Sequence, residues 1–247
     1  MKVNKSGKTV LLAGCLLLWL PVLQAQRFKG ELIAGFNVTQ VEGDMVAGYK
    51  KLGGNLGMGV MLPFQFNRKS DDKVWAVSME MLFNQKGSHQ RNNTGLTYSD
   101  SSRTEFFFDS VCKYDLRLNY VSIPVMLHYL DMHTGWTFGV GVAYNRLFGV
   151  QEVENGYRTT TSLSSGTYDL QELSVMLDVR FRIYRQLKLN FRYEYSMFPV
   201  RTRTFYFRDG MPVDPYVRKQ YNNVLTLRMI YVFNEPKDAV YRNKQKH

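Results

Sequence analysis

Leu187-Lys188-Leu189-Asn190-Phe191-Arg192-Tyr193-Glu194-Tyr195-Ser196-Met197 alternates apolar and polar residues without a break. Successive side chains of a β-strand project to opposite faces, so the segment has one face of Leu, Phe, Tyr and Met and another of Lys, Asn, Arg, Glu and Ser. A tilted strand crosses a bilayer in about 9 to 11 residues. Seven further segments repeat the pattern. Their apolar faces are Leu32 to Val38, Leu56 to Phe64, Trp75 to Phe83, Val121 to Tyr129, Trp136 to Tyr144, Leu173 to Ile183 and Leu225 to Phe233. The expected fold is all-β: an eight-stranded antiparallel up-and-down transmembrane barrel with a filled polar lumen.

The connections carry independent information. Short links at Asn67 to Lys73, Asp131 to Thr134 and Arg185-Gln186 alternate with long ones at Gln40 to Gly53, Gly87 to Lys113, Gln151 to Thr167 and Val200 to Tyr221. Short periplasmic turns and long external loops mark an outer-membrane barrel with both mature termini in the periplasm. This topology predicts an aromatic girdle at the periplasmic strand ends, where Phe64, Phe66, Trp75, Tyr129, Trp136, Tyr231 and Phe233 stand. Phe36, Phe83, Tyr144 and Tyr195 stand at the opposite boundary.

The first 25 residues read as a cleaved export signal: Lys2, Lys5 and Lys8, an apolar run from Val10 to Leu23, then Ala25. The run continues for eight residues past Cys15, against a lipoprotein cleavage box at Leu12-Ala13-Gly14-Cys15. Residues 26–233 form the expected barrel and 234–247 a polar periplasmic tail. Removing three lysines takes the net charge from +11 to 11 − 3 = +8 and leaves Cys112 without a disulfide partner. The surplus Lys and Arg are scattered rather than gathered into a basic-aromatic patch, so nucleic acid is not an expected partner.

The inward parity collects Glu31, Asn37, Ser78, Glu80, Thr137, Asn145, Asp178, Arg180, Arg182, Lys188, Asn190, Arg192, Glu194 and Arg228, with Gly35, Gly57, Gly59, Gly139 and Gly141 between them. An eight-stranded barrel is just wide enough for side chains to fill, and a buried charge must be paired. Glu80, Asp178 and Glu194 are therefore expected to pair with Arg180, Arg192 and Arg228. Ser122 and His128 share this parity, but six residues at about 3.3 Å each separate them by roughly 20 Å. His89, His133 and His247 read as loop, turn and tail. No metal-ligand cluster or zinc, redox or phosphate-binding motif is present, and Gly57-Met58-Gly59 and Gly139-Val140-Gly141 are fragments of a dinucleotide fingerprint better read as lumen packing. No catalytic residue and no cofactor are expected.

Gly30-Glu31-Leu32-Ile33-Ala34-Gly35-Phe36-Asn37, Glu80-Met81-Leu82-Phe83-Asn84-Gln85-Lys86-Gly87, Arg192-Tyr193-Glu194-Tyr195-Ser196 and, above all, Leu116-Arg117-Leu118-Asn119-Tyr120-Val121-Ser122-Ile123-Pro124-Val125 resemble the PorT-like outer-membrane β-barrel family. The resemblance implies an outer-membrane location, lipid contact and passage through the barrel-insertion machinery. It also implies a secretion-system or envelope partner, since the founding member is linked to type IX secretion. It supplies no catalytic residues. The tail after Phe233 departs from a barrel ending on its last aromatic. The reading is a noncatalytic outer-membrane barrel supporting protein secretion or envelope assembly through loops and periplasmic contacts. The alternatives are a lipid-modifying outer-membrane enzyme and a secreted lipocalin-like binder. The contact expected first is Phe106-Phe107-Phe108, in the longest connection.

Overall fold

The computed structural model describes residues 28–44, 48–64, 73–92, 112–131, 134–154, 156–160, 163–208 and 211–233. The expected export signal with Cys15, Phe66, His133, the Phe106-Phe107-Phe108 segment and the expected tail from Asn234 lie outside them. The described residues form ten strands: β1 (Lys29–Glu42), β2 (Lys51–Phe64), β3 (Lys73–Asn92), β4 (Cys112–Asp131), β5 (Trp136–Glu154), β6 (Tyr157–Thr160), β7 (Gln171–Tyr184), β8 (Leu187–Ser196), β9 (Arg201–Arg208) and β10 (Met211–Val232). β1, β2, β3, β4, β5, β7, β8 and β10 form an antiparallel ring of eight, closed where β10 pairs with β1 from Glu31↔Val232 to Glu42↔Tyr221. β9 pairs with the first half of β10, and β6 with the end of β5, so both stand beyond the ring.

Closure carries a fixed stagger. Register partners lead from Glu31 to Gly59 and Glu80, then across to Pro124, Ala143, Ser174, Ser196 and Asn222, and back to β1 at Val41, a shift of 41 − 31 = 10 residues. With about 3.3 Å per residue and about 4.8 Å between strands, eight strands and that stagger tilt the wall by about 40°. The short links gather at one end, here the turn end, with Phe28 and Phe233. The other is the loop end.

The outward face is apolar where it meets lipid. Leu56, Met58 and Val60 on β2, the outward residues from Trp75 to Phe83 on β3 and Phe138, Val140 and Val142 on β5 all expose their side chains, while the alternate residues are buried or, at Gly57, Gly59 and Gly141, half-buried. This polarity is the reverse of a lipocalin, which buries its apolar face around a ligand. The Trp75 and Tyr129 rings meet edge to face at 5.3 Å, Trp136 and Phe181 lie 5.3 Å apart, and Tyr231 meets Phe233 at 5.0 Å, all at the turn end.

The strands run further than their apolar faces. β3 and β4 stay paired out to Asn92↔Cys112, so the connection expected over Gly87 to Lys113 is ladder at both ends, and His89 lies in a strand rather than a loop. Gln151 to Thr167 contains β6 and a short 3-10 turn at Leu163–Ser165, and Val200 to Tyr221 contains β9 and half of β10. Paired strands satisfy their own backbone groups whatever solvent surrounds them, so the ladder need not stop at the bilayer surface.

The polarity of the faces does change there. On β4, Val121, Ile123, Val125 and Leu127 point out and Ser122 and His128 point in; four residues earlier Arg117 points out while Leu116, Leu118 and Tyr120 are buried. The same strand thus passes from a wall with lipid outside to a wall with water outside. β5 makes the change at a bulge, where Tyr120 pairs with Leu147 but Asn119 with Gly149, leaving Phe148 as the extra, outward residue.

At this level β3 folds into the lumen. Asn37 donates to the Gln85 carbonyl at 2.8 Å and Thr39 to that of Gly87 at 2.7 Å, both reaching from β1 past β2. Gly53 makes room: a Cβ there would sit 2.2 Å from the Gln85 carbonyl oxygen. Gly87, at φ 151°, would place a Cβ 2.0 Å from the Leu116 carbonyl oxygen. Gly53→Ala is expected to destabilise the barrel by about 1 to 3 kcal/mol, the usual cost of overpacking. Urea unfolding in detergent checks it, with the neighbouring Gly54→Ala, whose Cβ would meet only the Phe83 ring at 3.8 Å, as a control.

Candidate functional site

Side chains fill the lumen in layers, four of which frame the site, with the apolar clusters Ile33, Leu82, Ile230, Val232 and Met126, Ala143, Met176 packed between them. At the turn end Met61, Val74, Ala76 and Leu130 form an apolar floor. Above it Glu31, Glu80 and Asp178 meet Arg180, Arg192 and Arg228, three carboxylates and three guanidinium groups brought together from β1, β3, β7, β8 and β10. Glu80 is the hub. It accepts from Arg180 at 2.9 Å, from both terminal nitrogens of Arg192 at 2.9 Å and from Arg228 at 2.9 Å. Arg180 also grips Glu31 through both carboxylate oxygens, at 2.9 and 3.0 Å. Asp178 receives Arg192 at 2.6 Å and Asn190, whose own carbonyl oxygen holds Arg228 Nε at 2.6 Å.

Glu194 does not join this cluster. It stands one layer higher, where its Oε1 accepts Lys86 Nζ at 2.6 Å and Ser174 at 2.7 Å, while Lys86 also binds Glu172 at 2.7 Å. Asn145, Ser196 and Asn222 supply further donors to the two carboxylates. The expected pairing of Glu194 with a lumen arginine is thus corrected. β8 advances two residues per inward position, so Glu194 sits a full step above Arg192, opposite Met176 rather than Asp178. Lys86 and Glu172 lie just past the stretches of regular alternation and were missed by a reading confined to them. The register phase at Glu80 and Asp178, carried on to residues 86 and 172, would have found both.

The fourth layer closes the loop end. Val41, Tyr114, Leu116, Leu118, Tyr120, Leu147, Val150 and Tyr168 form an apolar cluster, with Leu163 and Leu170 packed on it from the segment that leads into β7. Over it, buried Glu152 accepts Arg201 Nη1 at 2.7 Å and the Tyr114 hydroxyl at 3.1 Å, and the same guanidinium lies 4.7 Å from the Tyr168 ring centre. Burial pushes the Tyr114 and Tyr168 hydroxyls above the ordinary tyrosine range, with the negative charge of Glu152 adding to it, so both remain protonated donors or acceptors near neutral pH. At the rim, burial would raise the Asp115 carboxyl, but the hydrogen bond and charge of Lys51, and then of His89, bring it below its usual value.

Ser122 and His128 both point inward, but His128 Nε2 meets Ser78 at 2.8 Å, and the Ser122 hydroxyl has no partner. Ser78 and His128 lie side by side on neighbouring strands, a proximity that separation along one strand does not reveal. Both are sealed between the apolar floor and the upper layers, and His128 packs against the notch at Gly139. Among the described residues no cluster of three or more His, Cys, Asp or Glu side chains could hold a metal ion.

Solved structures similar in architecture include Neisserial surface protein A (11% identity, TM-score 0.35, covering 83% of this chain and 96% of that one). The attachment invasion locus protein Ail of Yersinia pestis (13%, 0.37, 84% and 99%) and OprG of Pseudomonas aeruginosa (10%, 0.36, 83% and 95%) are also similar. No curated protein matches it in sequence. The family model described as outer membrane protein beta-barrel domain matches residues 24–201, and it covers most of the ring built above. The closed antiparallel ring agrees with a barrel domain of that description, and the chain belongs to this family.

Proposed function

We propose that this protein is a closed, noncatalytic outer-membrane barrel that supports protein secretion or envelope assembly through surfaces outside the bilayer. The turn end faces the periplasm and the loop end the cell exterior. One observation carries the reading: ion-paired and polar layers are stacked between an apolar floor and an apolar cap, so the interior offers neither a path nor a reaction chamber, and activity falls to the exterior. The secretion role rests on the sequence resemblance to the PorT-like family.

Purified protein in planar bilayers is expected to show no large steady conductance, and unboiled protein to migrate differently from boiled protein on a detergent gel. A channel of stable conductance would overturn the closed-barrel reading. In a deletion strain with a secretion or envelope phenotype, the full chain is expected to complement. A variant with residues 93–111 replaced by a short Gly-Ser turn is expected to fold but not complement. The cut is limited to 93–111 because Gly87 to Asn92 belong to the β3–β4 ladder. Full complementation by that variant would place the active surface elsewhere.

A further inference from the structure

The wall at the loop end is not strand ladder all the way round. β7 starts at Gln171, opposite Arg146, and β8 stops at Ser196, whereas β5 runs on to Glu154 and β10 starts as early as Met211. Above β7 and β8 stand β6, paired with β5, and β9, paired with β10, and among the described residues no ladder joins β6 to β9. The chain between β6 and β7 closes this seam instead. Leu163, Tyr168 and Leu170 pack on the apolar cap, Tyr168 being only 6% exposed, while Ser164, Gly166 and Asp169 face solvent. The Leu147 N–H donates to the Leu170 carbonyl and the Asp169 N–H to that of Val200, each at 2.9 Å, so the segment is stitched to β5 on one side and to the residue before β9 on the other.

Arg201 joins the two sides. Its Nη1 donates to the Tyr168 hydroxyl at 2.6 Å and to Glu152 at 2.7 Å. Glu152 belongs to β5, Tyr168 to the covering segment and Arg201 to β9, so one guanidinium ties together the three pieces that meet at the seam. A segment outside any ladder opens locally at lower cost than paired strands do. We propose that Leu163 to Leu170 is a lid, latched by Arg201, that swings away from the wall and uncovers the apolar cap while the ring stays folded. The surface beneath belongs to the cluster of Leu116, Leu118, Leu147 and Val150, and exposing it to water is unfavourable, so the lid rests closed. A small apolar solute is the class of molecule that surface takes, and the ion-paired Lys86 layer beneath bars its way further in. The lid works the same way whichever compartment the loop end faces.

The test uses the full chain folded in detergent, in a Cys112→Ser background, with N-ethylmaleimide as a small uncharged probe and peptide mass spectrometry to locate the modified site. Val150→Cys lies in the cap cluster on β5, beside the seam, and Ser122→Cys lies sealed in the lumen, where only opening of the whole barrel reaches it. Val150→Cys is expected to react faster than Ser122→Cys. Tyr168→Phe keeps the ring but loses its bond to Arg201, and it is expected to speed modification of Val150→Cys about tenfold, the scale of one hydrogen bond to a charged group, with Ser122→Cys unchanged. Arg201→Met is expected to speed it further. The heat-dependent gel shift shows that each variant is folded, and Tyr168→Phe decides where Arg201→Met does not fold. Relative to the exposed Tyr157→Cys, the anionic sulfonatoethyl methanethiosulfonate is expected to reach Val150→Cys more slowly than N-ethylmaleimide does. Equal rates at Val150→Cys and Ser122→Cys, equal acceleration of both by Tyr168→Phe, or no acceleration at Val150→Cys would overturn the lid. Equal normalised rates for the two reagents would overturn the apolar class of solute.

Discussion

Glu80→Ala is expected to lower the unfolding free energy by about 3 to 5 kcal/mol, the range for removing one member of a buried ion-pair network. Glu80 is the only carboxylate of its cluster that binds all three guanidinium groups at 2.9 Å. Without it, three cations share Glu31 and Asp178. Arg228 loses most, because its remaining acid contact, to Asp178, is 3.5 Å long and its other partner is the neutral Asn190. Much of the cost is therefore the stranded charge rather than the lost bond, which a second substitution can separate. Glu80→Ala/Arg228→Met restores the balance at two acids and two bases, and it is expected to be more stable than Glu80→Ala alone by more than 1 kcal/mol, a coupling typical of residues in one network. Glu154→Ala, which removes an ion pair whose partners are both partly exposed, is expected to change stability by no more than about 1 kcal/mol. Urea unfolding followed by tryptophan fluorescence reads all three. Equal midpoints for Glu80→Ala and Glu154→Ala would show that the cluster does not hold the lumen together.

How far this was readable beforehand depends on which force sets the pattern. Between Trp75 and Phe83 on β3, lipid on one side and packed charge on the other impose a strict two-residue period, and parity alone places Glu80, Asp178, Arg180, Arg192 and Arg228 inside. Parity does not show height around the ring. That depends on the ten-residue stagger, which no single strand carries, and so Glu194 was assigned to the wrong layer and Ser78 was not paired with His128. Outside the bilayer the period persists but its sign reverses. Leu116, Leu118 and Tyr120 are apolar on the inward parity, followed at once by Val121 and Ile123 on the outward one. Read as a single strand with a phase change at Tyr120-Val121, that run marks both the continuation of β4 and the membrane boundary. β9 and β6 lack a bilayer on either face, so their alternation is weak: Arg201-Thr202-Arg203-Thr204 has no apolar side.

Lys86→Met is expected to destabilise by a comparable amount, about 3 to 5 kcal/mol, for a different electrostatic reason. The Glu80 cluster is balanced, three against three, whereas Lys86 alone serves two carboxylates, Glu172 at 2.7 Å and Glu194 at 2.6 Å, with all three side chains almost fully buried. The arrangement holds because neutral donors share the load: Ser174 and Asn145 on Glu194, Ser196 and Asn222 on Glu172. Those donors remain after the substitution, but they carry no net charge to offset two acids that share one cation. Methionine matches the length and apolar stem of lysine, so lost packing is a minor part of the effect. The triple variant Lys86→Met/Glu172→Gln/Glu194→Gln removes every formal charge, and each new amide keeps one accepting oxygen, able to face Asn222 at position 172 and Ser174 with Asn145 at position 194. It is expected to recover most of the lost stability, as neutral replacements of buried ion pairs often do. Lys51→Met, which frees the partly exposed Asp115 at the rim, is expected to cost much less, since water reaches that carboxylate. If the triple variant is no more stable than Lys86→Met, then the layer is held by the lysine's shape and its place over the Tyr120 ring, 4.9 Å away, rather than by its charge.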